Sequence, residues 1–318
     1  MGIVRLEETK DTELQEFCRT LLSCPAMHRR KEDDDGFWSD ENVLPAGNGD
    51  VLDRLVCVTS SVSDLGVAIV KQLLVNCYCV LIIGDNEEDV EKLREMEISV
   101  VMAKLTEIES LTQAFDGFRG VFTPLHLWTP LDYPITPWKA MAGIEVSTTK
   151  NVMKACGVTP SVRKCVLTLS LLTYIWRDYN TLHEIPHLVD NKCWSNELVC
   201  LNKKLRYALG KLKAEKAGWE IAKDTSLKLV TICPGLITGL EKISKGVYEE
   251  MRKTAFGQYI CFNRVIERED EIEKLARETG TSVRSIAGSI SCSNKPQFEL
   301  SNVKLTRLML GTRRCYNE

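Results

Sequence analysis

Residues 54 to 75 read RLVCVTSSVSDLGVAIVKQLLV, and few folds accommodate such a stretch. Leu55 to Val58 is a short apolar run of the kind buried in a parallel sheet. Thr59 to Ser63 is small and polar, as in a tight loop. Leu65, Ile69 and Leu73 then recur at four-residue spacing, along the inner face of an amphipathic helix. Strand, small-residue loop and helix open a dinucleotide-binding βαβ unit, in which phosphates rest on the helix N-terminus. Only Gly66 stands where such a loop takes glycine; Ser60 and Ser63 hold the other two places. The motif is therefore a partial one, and its weight depends on the rest of the chain.

The pattern continues. Val80 to Ile83, Ile98 to Met102, Val121 to Phe122, Lys164 to Leu167 and Leu227 to Ile232 read as further strands, the last ended by Pro234 and Gly235. Helical spacing over Asn86 to Met96, Glu107 to Phe115, Lys139 to Ala155 and Asn202 to Ala222 separates them. Alternation of this kind predicts an α/β fold, a doubly wound parallel Rossmann sheet. Four prolines between Pro124 and Pro137 mark a loop. The resulting division is an N-terminal extension over 1–50, partly disordered, a nucleotide-binding Rossmann domain over 51–238, and a small C-terminal substrate lobe over 239–318. Glu269 to Glu278 reads as a solvated surface helix and the tail ending RRCYNE as frayed.

A net charge of -3 over 318 residues gives no basis for nucleic acid or an anionic membrane as a partner. No apolar run reaches the length of a membrane span, and the charged N-terminus carries no apolar signal core, so cytoplasm is the expected location. The 13 cysteines include no C-x-x-C pair, and several sit within apolar runs, consistent with buried reduced thiols. His183 to His187 reads HEIPH, a formal match to a zinc-protease pattern that needs both histidines on one helical face. Pro186 breaks such a helix, so no metal site is expected.

Tyr207 and Lys211 lie four residues apart on the longest expected helix and so share a face. An ammonium one turn from a phenol stabilises the phenolate and lowers its pKa from about 10. Such a tyrosine exchanges a proton with a carbonyl or alcohol oxygen, and the lysine reaches a nicotinamide ribose. Ser170, just past the fifth strand in CVLTLS, suits a donor that holds the reacting oxygen. By itself the Tyr-Lys spacing reads more readily as a surface pair.

The ordered set VCVTSSVSDLG, AFDGFRGVF, SVRKCVLTLSLL, CWSNELV, YALGKLKAEKAGWE, VTICPGLITG and GQYICFNRVI resembles the extended short-chain dehydrogenase/reductases. The closest resemblance is to the plant cinnamoyl-CoA reductase and dihydroflavonol reductase group. It implies a catalytic triad of Ser170, Tyr207 and Lys211. It implies dinucleotide contacts from Thr59, Ser60, Ser63, Leu65, Gly66, Asp85, Lys211 and Pro234. The implied activity is NAD(P)-dependent hydride transfer to a small carbonyl substrate, such as a phenylpropanoid-type compound.

The chain also departs from the family pattern. Ser60 and Ser63 replace loop glycines, and Asp64 replaces an apolar aromatic. Gly84 stands where an arginine commonly holds the NADP 2′-phosphate, and Asp85, Glu87, Glu88 and Asp89 follow. These charges favour NAD and imply weak binding. Lys104 replaces an acidic residue near adenine, Thr123 a histidine, and Leu205-Arg206 an Asn-Trp pair before the tyrosine. The segment from Leu240 to Gly246 is shorter than in the family. The alternative reading is a degenerate member, a weak dinucleotide-binding or protein-interaction module. Substrate identity and oligomeric state are left open.

Overall fold

The computed structural model describes residues 54–59, 64–87, 90–91, 94, 99–124, 138–177, 187–235, 255–262, 269–279, 283 and 298–313. The N-terminal extension, the proline-rich loop, the shortened segment near 240–246 and the extreme C-terminus lie outside these residues.

Among the described residues, seven strands form one parallel sheet: β1 (Leu55–Thr59), β2 (Cys79–Gly84), β3 (Val100–Met102), β4 (Gly120–Pro124), β5 (Lys164–Thr168), β7 (Lys228–Pro234) and β8 (Gly257–Cys261). Their spatial order is β3-β2-β1-β4-β5-β7-β8. Every residue of β1, β4 and β5 is buried, as expected for strands covered on both faces.

Alternation along β1 sends its side chains to opposite layers. Val56 and Val58 join Ile69 and Leu73 of α1 (Asp64–Val75) and Leu305 of α8 (Val303–Arg313). Cys57 turns the other way, toward Phe115 of α2 (Ile108–Phe115), Met153 of α3 (Trp138–Val158) and Ala214 of α6 (Arg206–Lys223). Burying each of Leu65, Ile69 and Leu73 contributes about 1.5–3 kcal/mol, enough to hold α1 against the sheet. The doubly wound parallel sheet expected from the sequence is thus present.

Three elements differ from the sequence reading. The long helix expected from Asn202 is two helices, α5 (Glu197–Asn202) and α6, while α4 (Leu172–Ile175) packs against α6 from the end of β5. Lys204 takes a left-handed conformation, φ 57. The Leu205 N–H bonds back to the Cys200 carbonyl at 2.8 Å and the Lys204 N–H to Leu201 at 3.0 Å, which is a Schellman termination. Helical periodicity runs on across the break because both helices bury apolar residues, so the sequence pattern conceals it. Secondly, β8 comes from beyond residue 238 and extends the main sheet by pairing with β7. Thirdly, a small parallel pair joins β6 (His187–Val189) to β9 (Phe298–Leu300), so His187 opens a strand. Of the expected surface helix, α7 (Glu269–Thr279) is present.

Helix α6 approaches the sheet and α3 closely because its inner face is built from Ala208, Gly210, Ala214, Ala217 and Gly218. A Cβ on Gly218 would lie 3.1 Å from Leu167 Cδ1 and 3.7 Å from Thr149 Cγ2. Gly218→Val is therefore expected to destabilise the fold by about 1–3 kcal/mol through overpacking. Urea unfolding of parent and variant measures it; an unchanged midpoint would show that the contact is not tight.

Candidate active site

Strand β1 pairs with β2 on one side and β4 on the other. Chain direction across the sheet reverses there, and the crevice outside the carboxyl ends of these strands is where open α/β sheets bind ligands. Thr59, the last residue of β1, is buried and donates its hydroxyl to the Phe122 carbonyl of β4 at 3.4 Å. The Thr123 hydroxyl, at the end of β4, is buried and makes no hydrogen bond. Leu65 and Gly66 are buried in the first turn of α1. Asp85, directly after β2, is exposed, as are Asn86 and Glu87. Ser60 and Ser63 lie outside the described residues. A polar group lacking a partner at β4 and an open carboxylate at β2 fit a ligand rich in hydroxyls, such as a dinucleotide.

Of three further expected site residues, Tyr207 and Lys211 are brought together on α6, and Ser170 lies just past the end of β5. Ser170 is buried just past β5, where its hydroxyl accepts from the Leu172 N–H at 3.3 Å. The Leu171 N–H donates to the carbonyl of Pro234 at 2.8 Å, which ties the Ser170 turn to the end of β7. The helix break at Lys204 puts Tyr207 in the first turn of α6. Lys211 lies one turn on, with its Nζ 5.4 Å from the Tyr207 ring centroid. The shared face expected from the spacing is therefore real, and Lys211 is no surface residue, since its exposure is 0%.

Sequence spacing gives no sign of what Lys211 meets across the helix interface. Its ammonium pairs with the Glu145 carboxylate of α3, itself 8% exposed. Burial alone would discharge the lysine, but Glu145 and Tyr207 outweigh that and hold its pKa above the usual lysine value. The Tyr207 phenol corrects the sequence expectation. Lys211 does lower its pKa, but burial raises it more and Glu145 adds to the rise, so the net direction is upward. The tyrosine is a phenol across neutral pH.

A second buried carboxylate lies one turn beyond Lys211. Glu215 accepts from the Tyr174 hydroxyl of α4 at 2.6 Å and from the Thr231 hydroxyl of β7 at 2.8 Å. Thr173, beside Tyr174, donates to the Ser170 carbonyl at 2.9 Å. The cluster joins α6, α4 and β7. Tyr207, Lys211 and Glu215 sit at i, i+4 and i+8, so a carboxylate continuing a buried stripe was a readable signal for Glu215. Nothing local to Glu145 signals its role. Among the described residues no three His, Cys, Asp or Glu side chains group as a metal site. Nor is any described helix long and apolar enough to cross a membrane.

A seven-stranded parallel sheet of this order, flanked by helices, defines a Rossmann-type α/β architecture. The chain is similar to cinnamoyl-CoA reductase 1 of Petunia hybrida, 35% identical over 194 residues, which are 58% of this chain and 55% of that protein. It is also similar to tetraketide alpha-pyrone reductase 1 of Arabidopsis thaliana, 32% identical over 193 residues, 58% of this chain and 57% of that protein. The chain thus spans little more than half the length of these curated relatives. No protein-family model matches it. Among solved structures, alfalfa vestitone reductase superposes with a TM-score of 0.60 at 18% identity, over 80% of this chain and 91% of that one. The yeast methylglyoxal/isovaleraldehyde reductase Gre2, complexed with NADPH, gives 0.62 at 16%, over 80% and 92%. These likenesses bear out the resemblance to extended short-chain dehydrogenase/reductases of the cinnamoyl-CoA reductase group, and the structural ones bear out the fold.

Burial raises the pKa of Glu215 above the usual glutamate value, against the lowering effect of its hydrogen bonds to Tyr174 and Thr231. A carboxyl raised on folding contributes stability that is full below its unfolded pKa of about 4.3 and is lost as pH rises through the folded value. Glu215→Gln is expected to remove that component, so parent stability should fall more steeply than the variant's from pH about 4.3 upward. Equilibrium unfolding across that range checks it; parallel curves would place the Glu215 charge elsewhere.

Proposed function

We propose that this chain is an NAD(P)-dependent reductase of a small carbonyl compound, of the phenylpropanoid type, working through Ser170, Tyr207 and Lys211. The observation that carries this reading is a phenol and a sealed, charged lysine stacked in the first turns of one helix, at the carboxyl edge of a Rossmann sheet. A nicotinamide bound in the crevice would supply the hydride to the carbonyl carbon. The Tyr207 hydroxyl gives its proton to the carbonyl oxygen as negative charge develops there. Its upward-shifted pKa supports that role, because the group is protonated and ready to donate at neutral pH. The Ser170 hydroxyl donates to the same oxygen and fixes its direction. Lys211 holds positive charge behind the phenol; sealed at 0% exposure and paired with Glu145, it acts through Tyr207, and the ribose contact expected from the sequence is not open to it.

On the nucleotide side, Thr59, Ser60, Ser63, Leu65 and Gly66 form the phosphate turn, Asp85 accepts from a ribose hydroxyl and Pro234 closes the nicotinamide end. The Asp85 carboxylate and its acidic neighbours favour NAD over NADP. The nine described cysteines are all free thiols, which supports the cytosol as the working compartment.

Calorimetric titration with NADH and NADPH tests the cofactor reading: NADH should bind more tightly, and Asp85→Ser should narrow the difference. Tyr207→Phe keeps the ring's packing and deletes the acid, and should lower turnover at least ~10²-fold. Near-parental turnover in that variant would refute the assignment. Absence of binding to either nucleotide would favour a non-catalytic role for the chain.

A further inference from the structure

Lys211 is the only lysine among the largest fully buried side chains, and a carboxylate on a different helix has been brought to it. Glu145 and Lys211 are 66 residues apart in sequence, from their numbers, and meet only where α3 and α6 pack. A buried ion pair is costly to assemble and is not needed to hold two helices that already pack through small side chains. Something in the site therefore uses the charge.

We propose that Glu145 is a positioning residue of the reductase site: its carboxylate holds the Lys211 ammonium and keeps the Tyr207–Lys211 unit fully protonated, which sets the upper pH limit of proton donation. The inference rests on the reductase reading for its role in turnover, but its electrostatic core does not.

The sign follows from charge alone. Tyr207 and Lys211 are close enough to titrate as a unit, and their first proton loss belongs to the pair. A neighbouring negative charge opposes that loss whichever of the two groups gives up the proton. Glu145 thus shifts the first deprotonation of the unit to higher pH. Among the described residues, the ionisable groups of the other elements packed on α6 make their contacts elsewhere. Tyr174 of α4 and Cys233 of β7 contact Glu215, and Glu197 of α5 pairs with Lys216 at 2.6 Å. Lys211, Tyr207 and Glu145 are the groups that act on one another.

Two readouts on the full chain test this. In the first, the unfolding midpoint of the ligand-free protein is followed from pH 7 to 11. Lys211 has a raised folded pKa, so its stabilisation is full below the unfolded value of about 10.4 and is lost as pH rises through the folded one. In Glu145→Gln the folded value should drop by at least about one pH unit, so the variant, less stable than the parent at pH 7, should lack this alkaline loss and the gap between the two should narrow toward pH 11. In the second, the alkaline limb of kcat/KM for carbonyl reduction should move down by a similar amount in Glu145→Gln, and Glu145→Asp should restore it. A stability gap between parent and Glu145→Gln that stays constant from pH 7 to 11, or an alkaline limb that does not move, would overturn the proposal. If Glu145→Gln does not fold, Glu145→Gln/Lys211→Met, which removes both charges, should recover folding. Failure of the double variant to recover would overturn it equally. Should the parent reduce no carbonyl tested, the reductase reading fails while the unfolding readout still decides the role of Glu145.

Discussion

Helix α6 can seat a charged lysine and a glutamate in the interior because, Leu212 apart, the rest of its buried face is alanine and glycine. Those small residues bring its backbone close to α3 and to β5 and β7, so that water is excluded around Lys211 and Glu215. Low dielectric then makes every polar contact count, and each buried charge has an answering group: Glu145 for the lysine, Tyr174 and Thr231 for Glu215. Position and ionisation at the site both follow from this close approach. Tyr207 stays a phenol because it shares the sealed space, and Lys211 stays an ammonium because Glu145 is there to meet it.

The same helix connects the site to the sheet. Through Glu215 it reaches β7, and through Tyr174 and Thr173 it reaches the turn that holds Ser170. One polar cluster thus ties α6 to that turn, while the crevice at β1 and β4 is shaped by backbone and by Thr59 and Thr123. The two halves of the candidate site, nucleotide turn and proton donor, are built by different means.

Much of this was legible from local patterns. The Leu65, Ile69, Leu73 spacing and the apolar run before it mark β1 and α1 within a residue or two, because both elements bury a regular stripe. The Tyr207 and Lys211 spacing marks their common face for the same reason. The Lys204 break was not legible: its left-handed residue is a lysine, and glycine, the usual signal for such a turn, is missing. Strand β8 was hidden because GQYIC is short and only its pairing with β7 makes it a strand. Glu145 was invisible because its partner is supplied by the packing of two helices, and no window on either helix contains both. The direction of the Tyr207 shift was misread for a related reason, since spacing reveals the neighbouring lysine and says nothing about how much water is lost.

Gly84 has a consequence of a historical kind. A Cβ at this position would come within 2.5 Å of Cγ2 of Val90, a branched and fully enclosed side chain with no alternative space. The resembled family commonly places an arginine here, so restoring it is not a single step: Val90 would have to shrink first, a change that by itself opens a hole in the core and confers nothing. Any lineage or engineer wishing to place an arginine there must cross a less stable intermediate, and the packing at the end of β2 acts as a ratchet on the residue at this position.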